Sequence, residues 1–279
     1  MSTAISRPSG NHTPRNTVHA ARSPSKLQQA VSNLEIALPA PGDSLTQDKE
    51  WVVVHQPKGW RKIRLHDYPE VFKVPGLYER WVYGVLGCQS PRVIATLLAS
   101  ALEQAGTGPA ALRVLDLGAG NGCVAEELRR IGVRHMVGVD IHPEAAVAAE
   151  RDRPGLYADY VVADMTDVPA DVGERLDHHH FNAMTCVAAL GFGDIPPRVF
   201  AEAFNRVEDG GWIAFTIKTD FTRADDDSGF STLIRAMLAD KSLELVQREM
   251  FTHRRSTEGR PLIYDAFIGR KRSSVDLPE

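Results

Sequence analysis

Asp116, Gly118, Gly120 and Gly122 fall at alternate positions directly after the apolar run Val114-Leu115. Asp140 closes the next apolar run, Met136-Val137-Gly138-Val139, 18 residues past Gly122. Glycines so spaced let a chain turn tightly between strand and helix and let its main chain press against a ligand. With an acid at the end of the following strand, the layout is that of a nucleoside-binding α/β domain. The details narrow the ligand. A dinucleotide fingerprint, G-x-G-x-x-G, would put its third glycine where this chain has Cys123. The helix N-terminus in such a site is aimed at a pyrophosphate, which the carboxylate of Asp116 would repel. The same carboxylate suits a ligand that carries an ammonium group and a sulfonium cation and no phosphate.

Those residues need elements to hold them. From Leu112 onward the chain alternates between short apolar runs and amphipathic stretches. Strands are predicted at 112–117, 135–140, 159–163, 181–187 and 212–217. Helices are predicted at 122–131, from Pro143, at 168–175, from Pro196-Pro197 to about Val207, and at 229–239. Two last strands, 243–251 and 262–270, have no helix between them and should form a hairpin. Five strand–helix units in series predict an α/β fold, doubly wound, with a mostly parallel seven-stranded sheet ending in an antiparallel hairpin. Ahead of it, Trp51–Val54 reads as a short strand and Gly76–Gly87 as an aromatic helix. Ser90-Pro91 reads as the capped start of a helix running to about Gln104. This stretch, 51–108, is expected to be a small N-terminal helical cap or lid over the domain at 109–271.

Residues 111–270 resemble the class I S-adenosylmethionine-dependent methyltransferases, on the Asp-x-Gly-x-Gly-x-Gly turn, the acid ending the second strand, the acid after the third, and the closing hairpin, in that order. The resemblance implies S-adenosylmethionine as cofactor and S-adenosylhomocysteine as product. It implies that the turn Gly118, Ala119, Gly120, Asn121 and Gly122, with Asp116, holds the donor, and that Asp140 accepts hydrogen bonds from both ribose hydroxyls. Ile141 would pack on one adenine face. Asp164 would accept from the exocyclic amine, and the Met165 N–H would meet a ring nitrogen. Val187 is a candidate for the far side of the cofactor, with structural core as the competing role.

Transfer from a sulfonium is an in-line displacement, and a general base is needed only where the acceptor is protonated. Sequence therefore constrains catalytic residues weakly; the candidates are Asp194, Lys218 and His253. The acceptor should lie beyond the carboxyl ends of the strands, where Phe192, Phe221 and the loop 251–261 also fall. Within that loop Arg254 and Arg255 offer a clamp for an acidic substrate group, and a solvated turn is the alternative. Tyr78 and Trp81 of the cap either line the acceptor pocket or glue the cap to the core. No Asn/Asp-Pro-Pro-Tyr/Phe follows the fourth strand, which argues against DNA adenine methylation, and no Pro-Cys pair offers a nucleophile for cytosine. The reading is transfer to an O or N atom of a small molecule. The alternatives are an RNA or protein methyltransferase, an NAD-dependent oxidoreductase and a catalytically silent cofactor-binding protein.

Composition agrees. The chain has 279 residues, a net charge of −4 and 43% hydrophobic residues, so no global basic field points to nucleic acid. Three scattered cysteines, Cys88, Cys123 and Cys186, fit neither a disulfide framework nor a zinc site, and no metal is expected. His178-His179-His180 reads as a polar loop, because adjacent side chains diverge. No apolar run approaches the ~18 residues of a membrane span. A reducing, cytoplasmic compartment is expected. Residues 1–50 read as a disordered tail, and residues 1–34, rich in Ser and Arg and free of acids before Glu35, leave organelle import as the alternative. Residues 272–279 are expected to be a flexible end.

Overall fold

The computed structural model describes residues 25–39 and 45–278. Its main sheet has seven strands: β4 (Arg113–Leu117), β5 (His135–Asp140), β6 (Asp159–Val162), β7 (Ala183–Cys186), β8 (Trp212–Lys218), β9 (Leu243–Arg255) and β10 (Pro261–Lys271). They lie in the order β6-β5-β4-β7-β8-β10-β9. Only β10 runs against its neighbours, pairing antiparallel with both β8 and β9. The chain reverses direction across the sheet between β4 and β7, which opens a crevice at their carboxyl ends, where α/β sheets bind ligands.

The central strands β4, β5, β7 and β8 are buried on both faces, as a parallel arrangement requires, while the edge strand β9 is largely exposed. One face packs under α3 (Ser90–Gln104) and α4 (Cys123–Ile131), through Val114, Met136 and Ala214. The other packs under α6 (Ala170–Asp177), α7 (Pro197–Asn205) and α8 (Phe230–Ala239), through Leu115, Leu117, Val137 and Phe215. α5 (Pro143–Asp152) packs between the cap and the β5–β6 edge of the sheet, with Ala145 and Ala148 against Phe72 and Tyr160. In β4, Asp116 therefore shares the face of Val114, between the sheet and the α3–α4 layer.

The cap differs from the helical lid that the sequence suggests. It contains a three-stranded antiparallel sheet of β1 (Ile36–Ala37), β2 (Trp51–Gln56) and β3 (Gly59–Arg64). β2 and β3 form a hairpin through Pro57-Lys58. Charged residues of β3 hid its apolar face: only Ile63 is buried there. α2 (Tyr68–Lys73) and a single π-helical stretch, Glu79–Val85, complete the cap around its own core of Val52, Val54, Leu77 and Trp81. α1 (Lys26–Asn33) lies inside the expected tail, set by a Ser25–Gln28 capping box. The rest of that tail, up to residue 24 and at 40–44, lies outside the described residues. The C-terminal end is tied down: Asn205 exchanges hydrogen bonds with the main chain of Val275 in both directions. Among the described residues no single helix is long and apolar enough to cross a membrane, and no group of His, Cys, Asp and Glu could hold a metal ion.

Candidate active site

A cavity of about 330 Å³ opens at the carboxyl ends of β4, β5 and β7, roofed by the cap. Its floor is the glycine turn. Gly118 has φ +68° and Gly120 +53°, which side chains rarely adopt. A Cβ on Gly118 would sit 2.8 Å from the Ala189 methyl and 2.9 Å from Ile195, and one on Gly120 would meet the Phe72 ring at 3.2 Å. Cap and loop thus press on a floor that only bare main chain can form. Gly118, Ala119, Gly120 and Asn121 line the cavity. Gly122, at φ +87° under Tyr157 and Arg153, faces away from it and starts α4.

Asp140 closes β5 at the rim of this floor. Its Oδ2 accepts from the Gly120 N–H at 2.9 Å and its Oδ1 from the His142 N–H at 3.0 Å. Burial holds the carboxyl above its ordinary range, with those backbone donors pulling the other way. Each oxygen keeps a second lone pair for a ligand. Ile141 beside it is 53% exposed, a large apolar side chain with a cavity face left open. Asp164 also lines the cavity. One of its oxygens takes both bonds from Thr166, which hold its pKa down, while the other makes no hydrogen bond among the described residues. Met165 and Val187 complete this wall.

Contrary to what its place in the glycine pattern predicts, Asp116 does not face the cavity: strand alternation turns it into the layer under α4. Thr185, its partner in register on β7, donates to Oδ1 at 2.7 Å, and Tyr157 donates to Oδ2 at 2.7 Å. Its part is to brace the turn from behind. Tyr160 does the same from β6, donating to the Gly120 carbonyl at 2.7 Å while its ring covers Gly138, where a Cβ would clash at 2.9 Å. Sequence reasoning missed Tyr157 and Tyr160. The signal was Gly138, since a glycine inside a strand marks a close neighbour.

Burial lifts the Asp116 carboxyl to about 6, against the pull of its two hydroxyl partners. An unfolded aspartate ionises near pH ~4. Between those values the folded state keeps a proton that the unfolded state has lost, so this group's contribution to stability falls as pH rises from about 4 to about 6. Asp116→Asn keeps the shape and removes the fall. In urea denaturation the variant should gain on the order of 3 kcal/mol relative to the natural chain between the two ends of that window. A constant difference across pH would contradict the assignment.

The acceptor-side residues divide. Tyr78 lines the cavity, with Tyr68, Phe72 and Tyr83. Trp81 is fully buried in the cap core and serves as glue. A second niche of about 30 Å³ adjoins the cavity and shares Tyr68, Tyr78, Ala188 and Asp194 with it. Phe192, His253 and Arg254 line this niche. His253 and Arg254 are not in a loop, because β9 extends to Arg255 and the turn is only 256–260. Both are buried. The Arg254 guanidinium is committed to Glu50 at 2.6 Å. His253 Nδ1 lies 2.6 Å from Ser90 Oγ, and burial beside Arg254 pushes its pKa well down. Ser90 is thus drawn from its expected capping role into a side-chain pair. Arg255 is exposed and bonds the Gly259 carbonyl, so the expected clamp for an acidic group loses both arginines. Lys218 pairs with Asp220 at 2.6 Å, and Phe221 packs on Phe192 behind the niche. Asp194 stands at the junction of the two spaces, 2.9 Å from His66 Nδ1. His66 was not singled out in the sequence.

The profile of a methyltransferase domain matches residues 89–258, more than half of the chain. The chain belongs to the S-adenosylmethionine-dependent methyltransferases. It is 27% identical over 161 residues to human methyltransferase-like protein 27, covering 56% of this chain and 62% of that one. It is 30% identical over 117 residues to the mitochondrial ubiquinone biosynthesis O-methyltransferase of Candida albicans, covering 39% and 34%. The matches therefore span less than two thirds of either relative. The N-methyltransferase NodS of Bradyrhizobium japonicum, solved with S-adenosylhomocysteine, shares the fold at a TM-score of 0.50 and 13% identity, over 74% of this chain and 97% of that one. The family sets aside the NAD-dependent oxidoreductase reading. The cavity of this methyltransferase offers a glycine-turn floor, a carboxylate with spare lone pairs at a strand end, an open apolar face at Ile141 and a free carboxylate oxygen at Asp164.

Proposed function

We propose that this methyltransferase moves a methyl group to an oxygen or nitrogen of a small molecule, and that Asp140, Ile141, Asp164, Met165 and the turn 118–121 bind the donor. The observation that carries this reading is the roof. Tyr68, Phe72, Tyr78 and Tyr83 of the cap line the cavity, so an acceptor must fit beneath aromatic side chains rather than lie across an open groove. The name of the Candida relative, a ubiquinone biosynthesis O-methyltransferase, supports an organic acceptor. Its mitochondrial label is compatible with residues 1–34 serving as an import address, the alternative to a cytoplasmic home.

The cofactor supplies an activated methyl group. The chain's part is to hold the acceptor in line and exclude water beneath the cap. Incubation of the protein with methyl-labelled donor and, separately, with a small-molecule extract, bulk RNA and bulk protein tests the reading. Label should enter the small-molecule fraction. Label in RNA or protein alone would replace this reading with the macromolecular alternative.

A further inference from the structure

We infer that His66, held by Asp194, is the general base of this enzyme, and that the acceptor atom is a phenolic hydroxyl presented to the niche beside the donor cavity. The inference rests on the small-molecule reading and narrows it. It stands on four observations. First, Asp194 Oδ2 lies 2.9 Å from His66 Nδ1, an ion-pair contact that sets the carboxylate beside this nitrogen and leaves Nε2 open. No protein group bonds Nε2 among the described residues. Second, Asp194 lines both spaces while His66 lines the niche, so the pair sits where an acceptor would meet the methyl group. Third, the imidazole is flanked by rings, with Phe192 edge-on at 5.5 Å and Tyr68 at 5.7 Å, which gives the niche an aromatic lining. Fourth, Gln47 reaches the niche with its Nε2 donating to the Tyr264 hydroxyl at 2.7 Å. Its Oε1 is buried without a donor, an acceptor waiting for a hydroxyl hydrogen.

The other groups around the niche do not compete for the role. Burial holds the Tyr68 and Tyr78 hydroxyls protonated. His253 has its Nδ1 against Ser90 and its ring packed on Tyr264 at 4.1 Å. The niche, at about 30 Å³, admits a hydroxyl and the edge of a ring rather than a whole molecule.

The step balances. The O–H proton passes to His66 Nε2, the freed electron pair on oxygen forms the O–CH3 bond, and the pair of the breaking S–C bond returns to sulfur. The imidazolium, neutralised by Asp194, then gives its proton to solvent. An uncharged aromatic amine has a lone pair ready and needs no base for attack, which separates the two acceptor chemistries.

The test uses the full chain with S-adenosylmethionine and two probe sets, phenol with catechol, and aniline, with 4-nitrophenol as a spectroscopic probe only. The natural protein should methylate a phenol. His66→Ala should lose about 10²–10⁴-fold in phenol turnover, regain part of it with added imidazole, and bind S-adenosylhomocysteine as before by calorimetry. Asp194→Asn tests the positioning residue. In the S-adenosylhomocysteine complex the natural protein should raise the phenolate absorbance of bound nitrophenol, and both variants should lose that signal. Phenol turnover unchanged in His66→Ala, or methylation of the aniline and not of the phenols, overturns the inference and leaves the small-molecule reading standing. No transfer to any probe also overturns it. Label confined to RNA or protein overturns both.

Discussion

Asp140→Ala should bind S-adenosylhomocysteine at least about 100-fold more weakly than the natural protein. Two contributions add. A charged acceptor serving two ribose hydroxyls is worth about 1.5–3 kcal/mol per bond, and 1.4 kcal/mol is tenfold in affinity. The same carboxylate also ties the floor together, because it accepts from Gly120 at 2.9 Å and from His142 at 3.0 Å. Its removal frees the turn as well as the diol. Asp140→Asn should fall between the two, since its amide oxygen can accept one of these bonds and its amino group opposes the other. Calorimetric titration measures all three proteins. The fold should survive, because Asp140 lies at the end of β5 and outside the hydrophobic layers. A loss of affinity matched by general unfolding in circular dichroism would point to a structural role instead.

Glu50→Ala should be the most destabilising single change at the joint between cap and sheet. Glu50 is completely buried. Its Oε2 accepts from Arg254 at 2.6 Å and its Oε1 from the Thr257 N–H at 2.6 Å. Removing the acid leaves a buried guanidinium without its counter-charge and a backbone donor without its acceptor. Breaking a buried pair this way costs about 3–5 kcal/mol, or a fall in melting temperature of roughly 10 °C for a chain of this size. Replacing both partners with apolar residues, as in Glu50→Leu with Arg254→Met, should recover most of the loss. Recovery would show that the pair joins the cap to the β9–β10 hairpin without being a net source of stability. A single variant within about 1 kcal/mol of the natural protein, by urea denaturation, would contradict the assignment.

Local features were easy to read. The Asp-x-Gly-x-Gly-x-Gly turn, Asp140 and Asp164 lie within 50 residues of one another along successive strands. Their roles follow from one repeating strand–turn–helix geometry, and the strand hairpin at the end follows from two apolar runs with no helix between. Contacts between distant segments were not readable. Arg254 and Glu50 are 204 residues apart in the chain, so Arg254 looked like a free clamp when it is neutralised by an acid from the cap. His66 gave no pattern of its own, because its meaning comes from Asp194 across the crevice. Asp116 shows a subtler failure. Its charge was correctly singled out, but a one-residue alternation decides which face of the sheet it serves, and its neighbours Val114 and Leu115 are both apolar and both buried. The periodicity that places a side chain is lost when a strand is covered on both faces.

The central claim is that the side-chain-free floor at Gly118–Gly120, with Asp140 at its rim, is a methyl-donor pocket. Isothermal titration of the full chain with S-adenosylhomocysteine, alongside NAD, tests it most directly. The expected result is one saturable site for S-adenosylhomocysteine, weakened at least about 100-fold in Asp140→Ala, and no heat from NAD. Saturable binding of NAD with no response to S-adenosylhomocysteine would contradict it.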